Sequence, residues 1–88
     1  MLTKEFTVLA AEGLHARPAS ALLKVIKKYH SAVTLIKGDV KADAHSILGI
    51  LSMQVSYNSK ITIRVEGEDE ADLMDSLIQF FEKDILAL

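Results

Sequence analysis

Several residue types are absent or scarce in this sequence of 88 residues. It contains no cysteine, which excludes disulfides, thiolate metal sites and thiol catalysis and is typical of a reducing compartment. One proline and four glycines are too few for a disordered or low-complexity segment. No apolar run approaches the ~20 residues of a membrane-spanning helix, and no basic, apolar leader opens the chain. These absences predict a soluble cytoplasmic protein with a single domain over residues 1–88.

Charge of one sign is not in large excess either. Ten Lys and Arg stand against twelve Asp and Glu, for a formal net charge of −2. The electrostatic field of a chain with this net charge does not attract nucleic acid. The only dense basic cluster is formed by Lys24, Lys27 and Lys28. Two tyrosines, three phenylalanines and the lack of a Gly-rich clamp fit an RNA-binding module poorly. We therefore expect neither direct nucleic-acid binding nor membrane insertion.

Alternating side chains and turn residues predict four strands. Polar and apolar residues alternate over Lys4–Leu9 and over Lys60–Glu66, as in strands with one buried face. Ala32–Lys37 and Val40–Asp43 flank a Gly38-Asp39 turn, which favours an antiparallel hairpin.

Three helices are predicted between and after these strands. The first runs from Ala16 to about Tyr29, and its apolar stripe consists of Ala19, Leu22, Leu23, Ile26 and Tyr29. Ser46 is suited to cap a short helix over Ile47–Leu51. The last helix begins near Glu68–Glu70 and is expected to place on one face Ala71, Met74, Leu77, Ile78, Phe81 and Ile85. The order βαββαβα predicts an α+β fold: a four-stranded, mainly antiparallel sheet covered on one face by helices.

The chemistry-bearing segment is Gly13–Ala19, which reads Gly-Leu-His-Ala-Arg-Pro-Ala. His15 immediately precedes the first helical turn, where unpaired backbone N–H groups and the helix dipole favour an anion. The backbone N–H groups of Ala16 and Arg17 are candidate hydrogen-bond donors to a phosphate group. The Arg17 guanidinium adds further N–H donors that lie in one plane. Pro18 fits the first turn because its missing N–H is not needed there. The alternative is an ordinary surface histidine beside a solvated arginine.

This segment resembles the active-site signature of the HPr family, the histidine-containing phosphocarriers of the bacterial sugar phosphotransferase system. Chain length, element order, the Ser46–Ile50 segment and Gly67 before an acidic helix start resemble the family as well. The resemblance implies an open-faced β-sandwich. It implies that His15 accepts a phosphoryl group on Nδ1 from enzyme I and passes it to the A domain of a sugar permease, while Arg17 stabilises the charge. It also implies a carrier that is not an enzyme and uses no cofactor or metal.

The resemblance further implies a regulatory role for Ser46. An ATP-dependent HPr kinase/phosphorylase would phosphorylate it, which would weaken exchange with enzyme I and promote binding to a catabolite-control transcription factor. The alternative is that Ser46 acts as a helix cap only. His45 stands where a basic residue is common in the family, and Gln54 where a small or acidic one is common. Glu12 is expected to disfavour phosphorylated His15 by repulsion, unless its side chain points to water.

A partner surface beside the histidine is also implied by the family. It comprises Ala16, Ser20, Lys24, Lys27, Ile47, Leu48 and Leu51. The alternatives are that the apolar members belong to the core and that the lysines form a solvated face. Because a short helix cannot bury all its apolar residues, we expect Ile50 to be buried and Ile47, Leu48 and Leu51 to be at least partly exposed.

The sequence also leaves alternatives to a carrier of the sugar phosphotransferase system. A Crh-like HPr paralogue would act in catabolite repression through Ser46, but such paralogues lack the histidine that this chain keeps. A nitrogen-related phosphotransfer branch would use the same fold. An independent hydrolase would need a second acid or base, and only Glu12 lies near His15 in sequence. An amino-acid-sensing α+β domain would leave His15 and Arg17 unexplained. His30 and His45 are interpreted as ordinary polar positions.

Overall fold

The computed structural model describes all residues from 1 to 88 and contains four strands and three α-helices. The strands are β1 (Leu2–Thr7), β2 (Ala32–Lys37), β3 (Val40–Asp43) and β4 (Lys60–Glu66). The helices are α1 (Ala16–Ile26), α2 (Ile47–Ser52) and α3 (Glu70–Glu82), and a 3-10 helix follows at Asp84–Ala87. None of these helices has the length and apolar character needed to cross a bilayer. The predicted α+β class and the order βαββαβα are confirmed.

All strand pairs in the sheet are antiparallel, in the order β1-β4-β2-β3. The inner strand β4 pairs with β1 on one side and β2 on the other, so that Ile61 lies opposite Phe6 and Ile63 opposite Leu35. β2 and β3 form the predicted hairpin, whose turn contains Gly38 at φ +60°. The first and fourth strands of the sequence are thus neighbours, and β1 and β3 form the two edges of the sheet.

The core lies between one face of the sheet and the helices. It is a single cluster of 22 buried apolar residues. The Phe6 ring of β1 stacks on Phe81 of α3 with centroids 4.8 Å apart, and Phe80 meets Phe81 edge-on at 5.1 Å. Such aromatic pairs add to the free energy of burial and fix the position of α3 on the sheet. Thr62 and Arg64 point away from the core and are only half-buried.

Two elements, the first strand and the first helix, have boundaries two or more residues from the predicted ones, while α2 ends one residue later than predicted, at Ser52. The first strand was expected over Lys4–Leu9 but spans Leu2–Thr7, because pairing with β4 extends to Leu2 opposite Val65. The first helix was expected to reach Tyr29 but ends at Ile26. The N–H groups of Lys28 and Tyr29 donate to carbonyl groups three residues back, so the last turn tightens into 3-10 geometry.

The predicted buried face of the last helix was partly wrong. Ala71 is exposed, and Ile85 is buried but belongs to the 3-10 helix instead of α3. Leu73 and Phe80, which the prediction left out, are buried beside Leu77. These three residues are separated by four and by three positions, as on one face of a helix. Contact with the large Phe rings determines that this face is the buried one. A methyl side chain such as that of Ala71 contributes too little area to set the orientation.

Asp69 connects the loop between α1 and β2 to the start of α3. Its carboxylate accepts hydrogen bonds from the backbone N–H of His30 at 2.7 Å, the backbone N–H of Ser31 at 3.0 Å and the hydroxyl of Ser31. The Ser31 hydroxyl, followed by the His30 N–H, lowers the pKa of Asp69 from its ordinary value. The local role of His30 is therefore that of a backbone donor.

Candidate phosphoryl-carrier site

The loop that carries His15 is held by backbone contacts on both sides of Gly13. Gly13 N–H donates to the Ala10 carbonyl at 2.9 Å, and Leu14 N–H donates to the Val55 carbonyl at 3.0 Å. Gly13 has φ +74°, and a Cβ there would lie 2.1 Å from the Val55 oxygen. Only glycine satisfies both the left-handed backbone and this close approach. Leu14 is buried, so the residue before His15 is anchored in the core.

His15 occupies the N-cap position of α1 without using its side chain as a cap. Its backbone is extended, at φ −79° and ψ −170°, and its carbonyl accepts the Ala19 N–H at 2.9 Å. The N–H groups of Ala16 and Arg17 lie in the first turn, where no intrahelical acceptor exists. Pro18, also in this turn, is buried and has no N–H to satisfy. The helix therefore offers two backbone donors next to a free imidazole.

The imidazole borders an open surface pocket of about 540 Å³. Its lining includes Glu12, His15, Ala16, Arg17, Pro18 and Leu88. The His15 side chain is 43 % exposed, and Arg17 is exposed and forms no ion pair within the chain. A phosphoryl group attached to His15 would thus be accessible from solvent and close to an uncommitted guanidinium. His15, Ala16 and Arg17, which the sequence singled out, lie together.

Glu12 is the one carboxylate paired with His15. Its Oε2 lies 3.9 Å from Nε2 of His15, while its side chain remains 81 % exposed. The carboxylate is therefore exposed to water and also faces the imidazole, while its effect on phosphorylated His15 stays a prediction. Nδ1 of His15 has no hydrogen-bond partner in the chain. The negative charge of Glu12 is thus next to Nε2 of His15, and Nδ1 is left open.

Ser46 is the N-cap of α2, as predicted. Its Oγ accepts the Gly49 N–H at 3.1 Å, and its carbonyl accepts the Ile50 N–H at 3.0 Å. Its own N–H donates to the Asp43 carbonyl at 3.1 Å, which fixes the turn between β3 and α2. The hydroxyl is on an exposed residue. The structure thus gives Ser46 a capping role and leaves it accessible.

His45, just before Ser46, is engaged by Asp43. The Asp43 carboxylate accepts the His45 backbone N–H at 2.9 Å and lies 3.2 Å from His45 Nδ1. The backbone hydrogen bond from His45 is the main cause that lowers the pKa of Asp43. A proton on this imidazole would be partly neutralised by Asp43. His45 therefore differs electrostatically from a free cation at this position.

The exposure of the apolar residues on α2 follows the predicted division. Ile50 is fully buried, Leu48 is 75 % exposed, and Ile47 and Leu51 are half-buried. Helix α1 packs beside α2, its exposed residues include Ala16, Ser20 and Lys24, and its C-cap residue Lys27 is exposed as well. Apolar and basic side chains are thus presented on neighbouring helices. Their use as a partner surface stays a prediction.

Two features of the α2 end were not found from the sequence. Lys37 Nζ donates to the carbonyl oxygen of Gln54 at 3.0 Å and to that of Met53 at 3.4 Å. Lys37, the last residue of β2, thereby satisfies carbonyl groups just beyond the end of α2. Because these carbonyl groups are 16 and 17 residues away in the sequence, no local pattern indicates the contact. Gln54 itself has φ +52°, a left-handed conformation at a position where glycine is preferred.

The comparisons with known proteins agree with one another. A family described as "PTS HPr component phosphorylation site" matches residues 2–83. The HPr-like protein Crh of Halalkalibacterium halodurans is 36 % identical over 84 residues, which is 96 % of this chain and 100 % of the relative. Phosphocarrier protein HPr of Xylella fastidiosa is 37 % identical over 82 residues, or 93 % of this chain and 92 % of the relative.

A solved structure gives the same result for the fold. HPr-C-His from Thermoanaerobacter tengcongensis superposes with a TM-score of 0.92 at 30 % identity, covering 97 % of this chain and 96 % of the other. The expected HPr-like arrangement of sheet and helices is confirmed. HPr proteins are phosphocarriers and not catalysts. The chain belongs to the HPr family of the phosphotransferase system, as a phosphocarrier or a Crh-like relative of one.

Proposed function

We propose that this chain accepts a phosphoryl group on His15 from phospho-enzyme I and passes it to the A domain of a sugar permease. The observation that carries the proposal is the N-cap position of His15. Its imidazole is accessible, it does not cap the helix, and two backbone N–H groups without intrahelical acceptors follow it. These donors are in place before transfer and need not reorganise as negative charge arrives.

The transfer step balances without a cofactor. The lone pair of Nδ1 attacks phosphorus, and the bond between phosphorus and the donor's nitrogen breaks, with its electron pair returning to the donor. The Ala16 and Arg17 N–H groups and the Arg17 guanidinium then offer hydrogen bonds to phosphoryl oxygens. Passage to the permease domain is the same step in reverse, with a side chain of the acceptor as nucleophile.

The test is incubation with phosphoenolpyruvate and purified enzyme I, followed by detection of acid-labile label. We expect label on His15 in the wild-type chain and none in His15→Ala. His30→Ala is the matched control, because His30 is also exposed but its side chain has no partner in the site. Equal labelling of the wild type and His15→Ala would refute the proposal.

The regulatory part of the proposal concerns Ser46. An HPr kinase/phosphorylase would transfer the γ-phosphoryl group of ATP to the exposed Oγ, which now accepts the Gly49 N–H. The product would carry almost two negative charges beside the exposed apolar residue Leu48 and would change what docks there. A catabolite-control transcription factor is the proposed reader of that state.

A matched pair of serines tests this part. Both Ser46 and Ser52 are exposed on or beside α2, but only Ser46 caps the helix start. With ATP and the kinase, we expect Ser52→Ala to be labelled like the wild type and Ser46→Ala to remain unlabelled. Label that persists in Ser46→Ala would exclude the site.

The second candidate is a Crh-like regulator in catabolite repression, and it is favoured by the 36 % identity to a protein named Crh. The presence of His15 supports the carrier instead. The two assays discriminate between them, because a regulator would take label on Ser46 from ATP and none on His15 from enzyme I. Replacing the sugar-branch enzyme I and acceptors by those of a nitrogen-related branch tests the remaining alternative.

A further inference from the structure

The Glu12 carboxylate lies beside His15 and takes no part in the phosphoryl transfer proposed above for His15, Ala16 and Arg17. Resting on the proposed function, we infer that Glu12 is a positioning residue: its carboxylate accepts a hydrogen bond from the N–H at Nε2 of His15, which leaves Nδ1 as the phosphoryl acceptor, and it balances the positive charge of the phosphorylated ring. The geometric basis is the 3.9 Å separation between Glu12 Oε2 and His15 Nε2. This is within ion-pair distance and longer than a hydrogen bond, as catalytic contacts often are before a substrate binds.

The backbone holds the two residues in this relation. Glu12 lies inside the turn closed by the hydrogen bond from Gly13 N–H to the Ala10 carbonyl. Gly13 is pressed against Val55, and Leu14 is buried and bonded to the same residue. The segment from Glu12 to His15 therefore has little freedom to separate, and only the Glu12 side chain needs to adjust for a direct hydrogen bond.

The chemistry requires a choice between the two ring nitrogens. A neutral imidazole has a proton on one nitrogen and a lone pair on the other, and the hydrogen bond at one nitrogen sets which is which. A carboxylate cannot donate, so it favours the tautomer with the proton on the nitrogen that it faces. That nitrogen is Nε2, and the lone pair is then on Nδ1, which no group in the chain blocks.

Charge balance gives Glu12 a second role after transfer. When the Nδ1 lone pair forms the N–P bond and the donor's N–P bond breaks, the proton stays on Nε2 and the ring becomes cationic. The Glu12 carboxylate faces this cationic edge, whereas the phosphoryl group is attached at the other nitrogen, near the first-turn N–H groups. The repulsion expected from the sequence alone is therefore opposed by attraction to the ring, since the ring nitrogen is the nearer group.

The direction in which Glu12→Gln changes the equilibrium phosphorylation of His15 shows whether the Glu12 charge attracts the ring or repels the phosphoryl group. Glu12→Gln removes the charge and keeps the shape of the side chain, and Glu5→Gln is the control because Glu5 is exposed on β1 and makes no ion pair. At equilibrium with phospho-enzyme I, we expect the ratio of phosphorylated to free chain to fall in Glu12→Gln by at most about fivefold, which is the factor for two unit charges about 4 Å apart in water before the repulsion between Glu12 and the phosphoryl group is subtracted. A rise, or no change, would overturn the inference.

A second readout requires no partner protein. Nitrogen-15 NMR of the His15 ring at about pH 9, where an ordinary imidazole is neutral, reports the tautomer populations. We expect the Nε2-protonated form to dominate in the wild type and in Glu5→Gln, and the Nδ1-protonated fraction to rise in Glu12→Gln, because the hydrogen bond at one ring nitrogen sets the tautomer. Unchanged populations would overturn the positioning role. If the wild type takes no label from enzyme I, the proposed function fails, whereas the tautomer populations still decide whether Glu12 orients the ring.

Discussion

The close approach of Gly13 to Val55 predicts an unusually large cost for one added methyl group. In Gly13→Ala, the Cβ would lie 2.1 Å from the Val55 carbonyl oxygen and 2.8 Å from the Cα of Ser56. Both neighbours are backbone atoms, so neither side chain rotation nor solvent can relieve the overlap. The loop must move, and the hydrogen bond between Leu14 N–H and the Val55 carbonyl is lost with it.

Gly38 supplies the matched control. It has φ +60°, similar to Gly13 at +74°, but a Cβ at Gly38 would meet nothing within 4 Å. Gly38→Ala should therefore cost only the left-handed strain of a non-glycine residue, about 1 kcal/mol. Gly13→Ala adds steric displacement and a broken hydrogen bond to the same strain, for a total of about 3 kcal/mol or more.

Urea unfolding at equilibrium measures both free energies, and thermal unfolding provides a second scale. For a domain of this size, each kcal/mol corresponds to roughly 4–8 °C in Tm. We expect Gly38→Ala to lower Tm by one such increment and Gly13→Ala by about three or more. If the two variants agree within about 0.5 kcal/mol, the contact with Val55 does not determine the need for glycine, and the reasoning fails.

Three further predictions concern other local contacts. The pKa of Asp69 is lowered by its hydrogen bonds in the folded state, so its contribution to stability is present above the unfolded value of about 3.9 and is lost as pH falls through the folded value. Asp69→Asn should thus lower the free energy of unfolding at neutral pH and make it decline less as the pH falls. Urea unfolding at several pH values measures both effects. Asp72→Asn removes no observed hydrogen bond and should show neither effect. Gln54→Gly should raise the free energy of unfolding by about 0.5–1 kcal/mol because φ is +52° there, and a decrease in denaturation midpoint would contradict this. Ser46→Ala should cost about 1 kcal/mol by removing the helix cap, and chemical denaturation should show a smaller loss for Ser52→Ala.

The strands and turns that depend on local sequence could be predicted closely. Ala32–Lys37, Val40–Asp43 and Lys60–Glu66 match the structure at both ends, because period-two alternation bounded by glycine or charged residues is a local property. The Ser46 cap was predicted for the same reason, since the serine and the N–H that it accepts are three residues apart. Boundaries that depend on a distant partner could not be predicted in this way. The start of β1 is an example, because it is set by the pairing of Leu2 with Val65 of β4.

The orientation of helices was less accessible from sequence. The periodic pattern in α3 allows several neighbouring stripes, and stacking of Phe81 on Phe6 of another element selects the one that buries Leu73 and Phe80. The bonds from Lys37 to the end of α2 likewise join residues that are far apart in the chain. Contacts between distant residues have no local periodicity that would reveal them.

At the candidate site, the sequence by itself determined the histidine, the arginine two residues later, the helix start and, through these, the resemblance to a family that the comparisons confirm. It did so because anion binding at a helix start requires particular residues at fixed, short spacing. Only the tertiary structure decided that Glu12 faces Nε2 of His15, that Nδ1 is open, and that Val55 leaves space for no side chain at position 13. The contact at position 13 depends on how the loop folds back on a distant segment, and the direction of the Glu12 charge relative to a ring nitrogen is a property of geometry alone.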